Sequence, residues 1–182
     1  GVPYVWTSAR VFQILGSDET TYLPRAIQCP TGVGAKKSVE RGERGIYFLG
    51  RDGNLWRLQG SNAVNISDQG HYALFHGVTQ NGIAPLNTAA AALATAAGAW
   101  HNNRLYFTYA SGNASTPNAM LVIDERTETW YRDSRALRCL HYDRLGKMLV
   151  GSSGSTGKVW QLDSGTTDEG AGIAVTIQTR DE

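Results

Sequence analysis

One pattern constrains this chain more than any other, an apolar hairpin written four times. Ile46 to Leu58 reads IYFLGRDGNLWRL. Two short strands flank Asp52-Gly53, a pair that tolerates the positive φ angles of a tight hairpin turn. Both arms are apolar or aromatic, as a half-buried strand pair requires. Tyr4 to Leu15 (YVWTSARVFQIL), Leu105 to Asp124 (LYFTYASGNASTPNAMLVID) and Met148 to Asp163 (MLVGSSGSTGKVWQLD) repeat it with longer or shorter turns. Phe12, Trp56, Val122 and Trp160 are read as equivalent positions. Repeats of roughly 40 to 50 residues carrying four strands predict an all-β, propeller-like chain of four-stranded antiparallel sheets, with about four blades or a partial ring.

The elements follow in order. Tyr4 to Leu15 is a hairpin turning at Ser8-Ala9-Arg10, and Thr20 to Gln28 supplies a further strand. Lys37 to Arg41 is a short strand and Gly42-Glu43 a turn into the Ile46 hairpin. Ala63 to Ser67 closes that repeat. His71 to Gly98 interrupts the period. Its Ala-rich part predicts one short helix of two to three turns near residues 87 to 97, capped by Asn87 or Thr88 and ended by Gly98, with a disordered Ala-rich linker as the alternative. Strands resume at Ala99 to His101, turn at Asn102-Asn103, and continue through Leu105 to Tyr109, Leu121 to Asp124 and Thr129 to Tyr131. Leu137 to Tyr142 and the Met148 hairpin form the last repeat. Ile173 to Thr179 alternates Ile, Val and Ile, as an outer strand with one covered face would.

At 182 residues the chain suits a single propeller-like domain, residues 1–182, with a substantial core. Both ends look cut, so a piece of a longer chain or a processed product is expected. No run approaches the roughly 18 apolar residues of a membrane span. Cys29 and Cys139 are far apart in sequence and are expected as two buried free thiols, with a bridge between them as the alternative.

Net charge is +1, which does not announce a nucleic-acid binder. The charges are uneven, however. Residues 1 to 60 hold eight Lys or Arg against five Asp or Glu. Lys36, Lys37, Arg41 and Arg44 cluster about one inner-strand turn, a candidate contact for phosphate or for an acidic neighbouring subunit. A solvated turn is the plainer reading of the same residues.

Catalytic chemistry is sparse. His71 and His76 are five apart, which suits neither a helical nor a strand-facing ligand pair, and no metal site is expected. The Ser-rich run at 151 to 155 lies in a hairpin turn and lacks the strand-to-helix context of a nucleophile elbow. No glycine-rich loop opens a helix, so no dinucleotide cofactor is expected. Arg51 to Trp56 invites comparison with the Asp-box of sialidase propellers, but Gly53 follows Asp52 at once and the spacing fails. The tryptophans within strands, Trp6, Trp56, Trp130 and Trp160, are expected to pack between blades rather than line a sugar site.

With its repeats laid out, the chain resembles the β-propeller segment of tailed-phage tail proteins, the tail tubular or nozzle and packaged-DNA stabilisation type. The stretches that carry the likeness are YVWTSARVFQILG, SVERGERGIYFLGRDGNLWRLQGSNAVNISD and AWHNNRLYFTYASGNASTPNAMLVIDERTETWY. The Ala-rich insertion has no counterpart in it. The resemblance implies a non-enzymatic structural component of the virion. Its implied partners are other tail or portal-adaptor subunits, a homo-oligomeric ring and weak, non-specific contact with packaged DNA. Two other classes stay open. A carbohydrate-binding propeller or adhesin would use loops such as Ser111 to Pro117 and exposed aromatics. A propeller glycosidase would need converging acids, and the inner strands offer few beyond Glu40 and Asp143.

Overall fold

The computed structural model describes residues 2–69, 71–80, 82–133, 135–145, 148–153, 157–162, 167–168 and 171–172. The expected strand at Ile173 to Thr179 lies outside them. The chain is mostly β, in antiparallel sheets whose strands follow one another in sequence order.

The first sheet has three strands, β1 (Tyr4–Trp6), β2 (Val11–Leu15) and β3 (Leu23–Ala26). The second has four, β4 (Glu40–Arg41), β5 (Ile46–Leu49), β6 (Leu55–Gln59) and β7 (Asn62–Asn65). The third also has four, β8 (Ala97–His101), β9 (Arg104–Tyr109), β10 (Ala119–Asp124) and β11 (Thr129–Asp133). The fourth has three, β12 (Cys139–Asp143), β13 (Met148–Ser152) and β14 (Val159–Leu162). A two-stranded ribbon follows, β15 (Thr167–Asp168) and β16 (Ala171–Gly172).

Turn chemistry sets these strands. Asn102 and Asn103 both adopt positive φ, 49° and 62°, and make the two-residue turn between β8 and β9. Gly53 takes φ +82° in the β5–β6 turn, and its absent side chain leaves room for Thr88. Several aspartates hold turns through backbone N–H groups. Asp18 accepts from Thr20 and Thr21, Asp124 from Arg126 and Thr127, and Asp143 from Leu145.

Register sorts the side chains into faces, and the faces stack in chain order. Phe48 and Trp56, with Ile46, Leu58 and Ala63, turn from the second sheet toward the first, where Tyr4, Trp6 and Val11 meet them. The opposite face of the second sheet carries Tyr47, Leu49 and Leu55. It packs on Leu105, Phe107, Leu121 and Ile123 of the third. The other face of the third sheet, Tyr106, Met120 and Val122, packs on Leu149, Leu162, Leu140 and Trp160 of the fourth. The leading strands lie side by side, β4 against β8 and β8 against β12.

Facing corrects one expected equivalence. Trp56 and Trp160 both face the preceding sheet, and Phe12 points the same way by register. Val122 faces the following sheet instead, and its neighbours Leu121 and Ile123 occupy the equivalent position. A slip of one residue in aligning repeats exchanges the two faces.

The insertion also differs from expectation. The Ala-rich helix is one turn, α2 (Ala90–Leu93), and a second one-turn helix, α1 (Tyr72–Phe75), precedes it. Ala89 stands at the N-cap of α2, and no side chain bonds there. Asn87 serves the loop instead, accepting from Ala89 N at 3.0 Å and donating to Ala114 O at 2.8 Å. Gly98 ends nothing, because it lies within β8. The helix stops early because Ala96 and Ala97 are buried against the sheets, and that packing outweighs alanine's helical preference. Leu74, Phe75, Leu86 and Leu93 of the insertion enter the core between the second and third sheets.

Candidate functional site

The four expected cations lie along the leading edge of the second sheet, beside β8 of the third. Lys36 and Lys37 belong to a 3-10 turn, Lys36–Ser38, where a strand beginning at Lys37 was expected. Ser38 fixes that turn. Its fully buried hydroxyl donates to Ala35 O at 2.7 Å and accepts from Leu49 N at 2.9 Å. The turn therefore sits at the Leu49 end of β5. Arg41 pairs with Ile46 at the other end of β5, and Arg44 follows in the β4–β5 turn. Three residues of β5 separate the two pairs, roughly 10 Å at strand rise. The structure thus strings the cations along an edge rather than around one turn. All four are exposed.

Their surroundings are not uniformly basic. Arg44 makes an ion pair with Glu128. Among the described residues, no ion pair engages Lys36, Lys37 or Arg41. Glu40 precedes Arg41, and Glu43 precedes Arg44. A basic patch remains, reduced to three unpaired cations beside several carboxylates.

The same edge holds a residue that the sequence did not disclose. Glu125, at the β10–β11 turn, is 4% exposed. Its Oε1 accepts from Tyr47 Oη at 2.6 Å and from Arg44 N at 3.3 Å. Its Oε2 accepts from Trp100 Nε1 at 2.7 Å and from Glu43 N at 3.0 Å. Burial alone would raise the Glu125 carboxyl, but the donors from Tyr47, Trp100, Glu43 and Arg44 hold it below the usual carboxylate range. Burial, and then the Glu125 hydrogen bond, push the Tyr47 phenol up. Gly42 allows this approach, because a Cβ there would lie 2.5 Å from Glu125 Oε1. One carboxylate therefore ties the β4–β5 turn to the third sheet. No local pattern marks it, since its partners lie far away in the chain.

Glu40 has the opposite setting. It is half-buried on the face turned to the third sheet, opposite Tyr47, and packs against Gly98 of β8. Burial pushes its carboxyl up to about 7. Among the described residues, no hydrogen bond or ion pair reaches it. Glu40 and Glu125 do not form an acid–base pair of the glycosidase kind. One is starved of donors, while the other has all its oxygens committed to structure.

The aromatic residues divide in the same way. Trp56 is buried, and its Nε1 donates to Asp52 at 3.2 Å and 3.3 Å. Trp6, Trp100, Trp130 and Trp160 are half-buried. Trp130 meets Phe75 and His71 edge-on. The exposed aromatics are tyrosines: Tyr22, Tyr72 and Tyr131. Tyr72 stacks on His76 with ring centroids 3.9 Å apart. The Ser111 to Pro117 loop is held down by Asn118, whose Oδ1 accepts from Ser111 N at 2.8 Å.

The cysteines are both free, but only Cys29 is buried. Cys139 is exposed on β12, contrary to expectation, because its side chain alternates onto the face of the fourth sheet turned away from the third. A groove of about 480 Å³ beside the first sheet is lined by Arg10, Ala26, Ile27 and Cys29, among others. It brings one cation and a thiol together without a paired acid and base. Among the described residues, no three His, Cys, Asp or Glu side chains group as a metal site. No helix among them is long and apolar enough to cross a membrane.

A scan of protein-family models gives no match to this chain, and neither does a search of the curated proteins.

Proposed function

We propose that the chain is a β-propeller-type scaffold, a non-enzymatic structural component of a bacteriophage tail that acts in the nozzle, hub or DNA-retention layer of the virion. The observation that carries this reading is the succession of sheets. Four meanders follow one another, each covers the next, and the leading strands of the second, third and fourth lie together. Propeller blades are built in this way. Fold alone never gives function. The virion role comes from the resemblance in sequence, and the scaffold reading is supported by the structural use of Glu125, the most buried carboxylate among the described residues. Its partners are other tail or portal-adaptor subunits and further copies of itself.

The exposed edge with Lys36, Lys37 and Arg41 is where a phosphate backbone would be met. Contact must be weak and blind to sequence, because a conduit lets its genome slide. Each phosphate neutralised contributes about −0.9 to the slope of log affinity against log salt. Three unpaired cations predict a slope of about −2 to −3 for duplex DNA. Arg44→Ser should leave that slope unchanged, since Glu128 already holds the guanidinium. Serine at Lys36, Lys37, Arg41 and Arg44 together should abolish it without unfolding the chain. Fluorescence anisotropy with labelled duplex measures this. A DNA affinity untouched by the quadruple change would sink the assignment of the edge. Cleavage of glycans by the purified protein would sink the scaffold reading itself. The carbohydrate-binding alternative draws its support from the exposed tyrosines Tyr22, Tyr72 and Tyr131.

A further inference from the structure

Among the described residues, five buried side-chain polar atoms find no hydrogen-bond partner. Three of them gather where the insertion meets the third sheet: His71 Nε2, Tyr109 Oη and Arg132 Nε. Register places Arg132 opposite Leu121 and Tyr109 opposite Ala119, both on the face turned to the second sheet. The Arg132 guanidinium acts electrostatically on both Tyr109 and His71. Trp130, on the same face, meets the His71 ring edge-on with centroids 6.1 Å apart. Phe75, at the far end of α1, meets the same indole at 6.4 Å. A buried polar atom without a partner keeps its desolvation penalty, so these three weaken a seam that apolar contact holds.

We propose that His71 is an acid-sensitive latch: neutral, it seats α1 against Trp130, and protonated beside Arg132 it releases α1 from the third sheet. The latch belongs to the packing of the insertion and is independent of the virion role. His71 is coupled to α1 through its backbone, since Leu74 N donates to His71 O at 3.0 Å. The return of the insertion is tied to the same turn, with Leu86 N donating to Leu74 O at 2.8 Å. A His71 ring that leaves its seat therefore pulls on the turn that carries Leu74 and Phe75 into the core.

The charges around the ring favour release. From β11 it faces Arg132, and the second sheet turns Arg57 to the same interface, in register with Tyr47. Tyr109 of β9 is a phenol that burial holds protonated. Among the described residues, no ion pair engages either arginine. The carboxylates of this interface are engaged elsewhere. Glu125 gives its oxygens to Tyr47, Trp100 and the β4–β5 turn, and Glu40 packs on Gly98. On α1 itself Tyr72 stacks on His76, and His76 Nε2 stands 3.5 Å from Asp68 Oδ1. That pair strengthens in acid, but an exposed pair contributes little. Burial pushes the His71 imidazole below its ordinary 6.5; the Trp130 backbone hydrogen bond opposes this, and Arg132 adds to it. The folded value lies below the unfolded one. The stability that His71 lends to α1 is therefore fully present above about pH 6.5, and it is lost as the pH falls through the folded value.

Amide exchange of the full chain, resolved by residue and read as protection factors between about pH 7.5 and about pH 5, tests this. Protection of the Leu74, His76 and Leu86 amides should fall several-fold in acid, while amides of β9 and β10 keep theirs. The His71 imidazole, followed by NMR in the same samples, should titrate below 6.5. His71→Phe keeps a ring against Trp130 and should abolish the acid loss. Arg132→Gln removes the neighbouring charge and should move the loss to lower pH. His76→Asn should leave it in place. A parent whose α1 protection is independent of pH would overturn the proposal, as would a loss that survives His71→Phe or disappears with His76→Asn. A His71 that titrates at or above 6.5 in the parent would overturn it without any variant.

Discussion

The third sheet and the first are built from similar hairpins, yet they stand in different surroundings. Leu105, Phe107, Leu121 and Ile123 cover one face of the third sheet, Tyr106, Met120 and Val122 cover the other, and all seven are buried. Among the described residues, only the face of the first sheet with Tyr4, Trp6 and Val11 is covered, and β3 is exposed along its length. The hairpin supplies strands, but burial comes from neighbours on both sides. Position in the stack, more than local sequence, decides what a side chain contributes.

The largest effect should come at the position shared by three repeats. Trp56 is buried between the first and second sheets, and Trp56→Ala is expected to cost about 3 to 5 kcal/mol. Trp160 is half-buried and should cost about half as much. Phe12 faces outward and should cost about 1 kcal/mol. Urea denaturation of the three variants measures this order. Equal losses would mean that the uncovered face of the first sheet is covered in solution.

A polar tie gives the next effect. Glu125→Ala strands the Tyr47 hydroxyl, the Trp100 indole N–H and two backbone N–H groups without an acceptor. The expected cost is about 3 kcal/mol, localised at the junction of the second and third sheets. Glu125→Gln keeps some acceptors and should cost less. The folded carboxyl lies below its unfolded value, so its contribution is present above about pH 4.5 and fades as the pH falls through the folded pKa. Thermal melts of parent and variant between pH 3 and 7 would show the difference shrinking with acid.

Glu40 should act in the opposite sense and more weakly. Its folded pKa of about 7 stands above the ordinary 4.5, so the folded state holds the proton more tightly. Stability from this residue is greatest below about pH 4.5 and declines as the pH rises to about 7. After solvent screening the decline is about 1 to 2 kcal/mol. Glu40→Gln should remove it and stabilise the chain at pH 8. A variant whose pH profile matches the parent's would show that water reaches Glu40 freely.

Hairpins were legible because alternation and turn residues are local. Asp52-Gly53 and Asn102-Asn103 announce their turns, and the strands on either side fall within a residue or two of their expected ends. The 3-10 turn at Lys36–Ser38 was not legible, because it depends on a hydrogen bond from distant Leu49 to Ser38. The Ala-rich segment misled for a related reason. Its propensity is helical, but Ala96 and Ala97 are drawn into the third sheet and its packing. Val122 was assigned the wrong face because aligning repeats of unequal turn length leaves a one-residue ambiguity. Of the candidate site, the cations could be read from sequence. Neutralisation of Arg44 and the hub at Glu125 could not, since Glu128 and Glu125 come from a strand junction more than eighty positions away.

Native-state hydrogen exchange resolved by residue tests most directly the claim that cover on both faces sets stability here. Amides of β9 and β10, central in a sheet covered on both faces, should exchange only through global unfolding, with free energies equal to the whole and sensitive to denaturant. Amides of β2 and β13, central in sheets that the described residues cover on one face, should exchange through smaller openings, and those sheets should open first. If β2 were protected as strongly as β9 in dilute, monomeric protein, stacking would not be what holds these sheets, and the account would be contradicted.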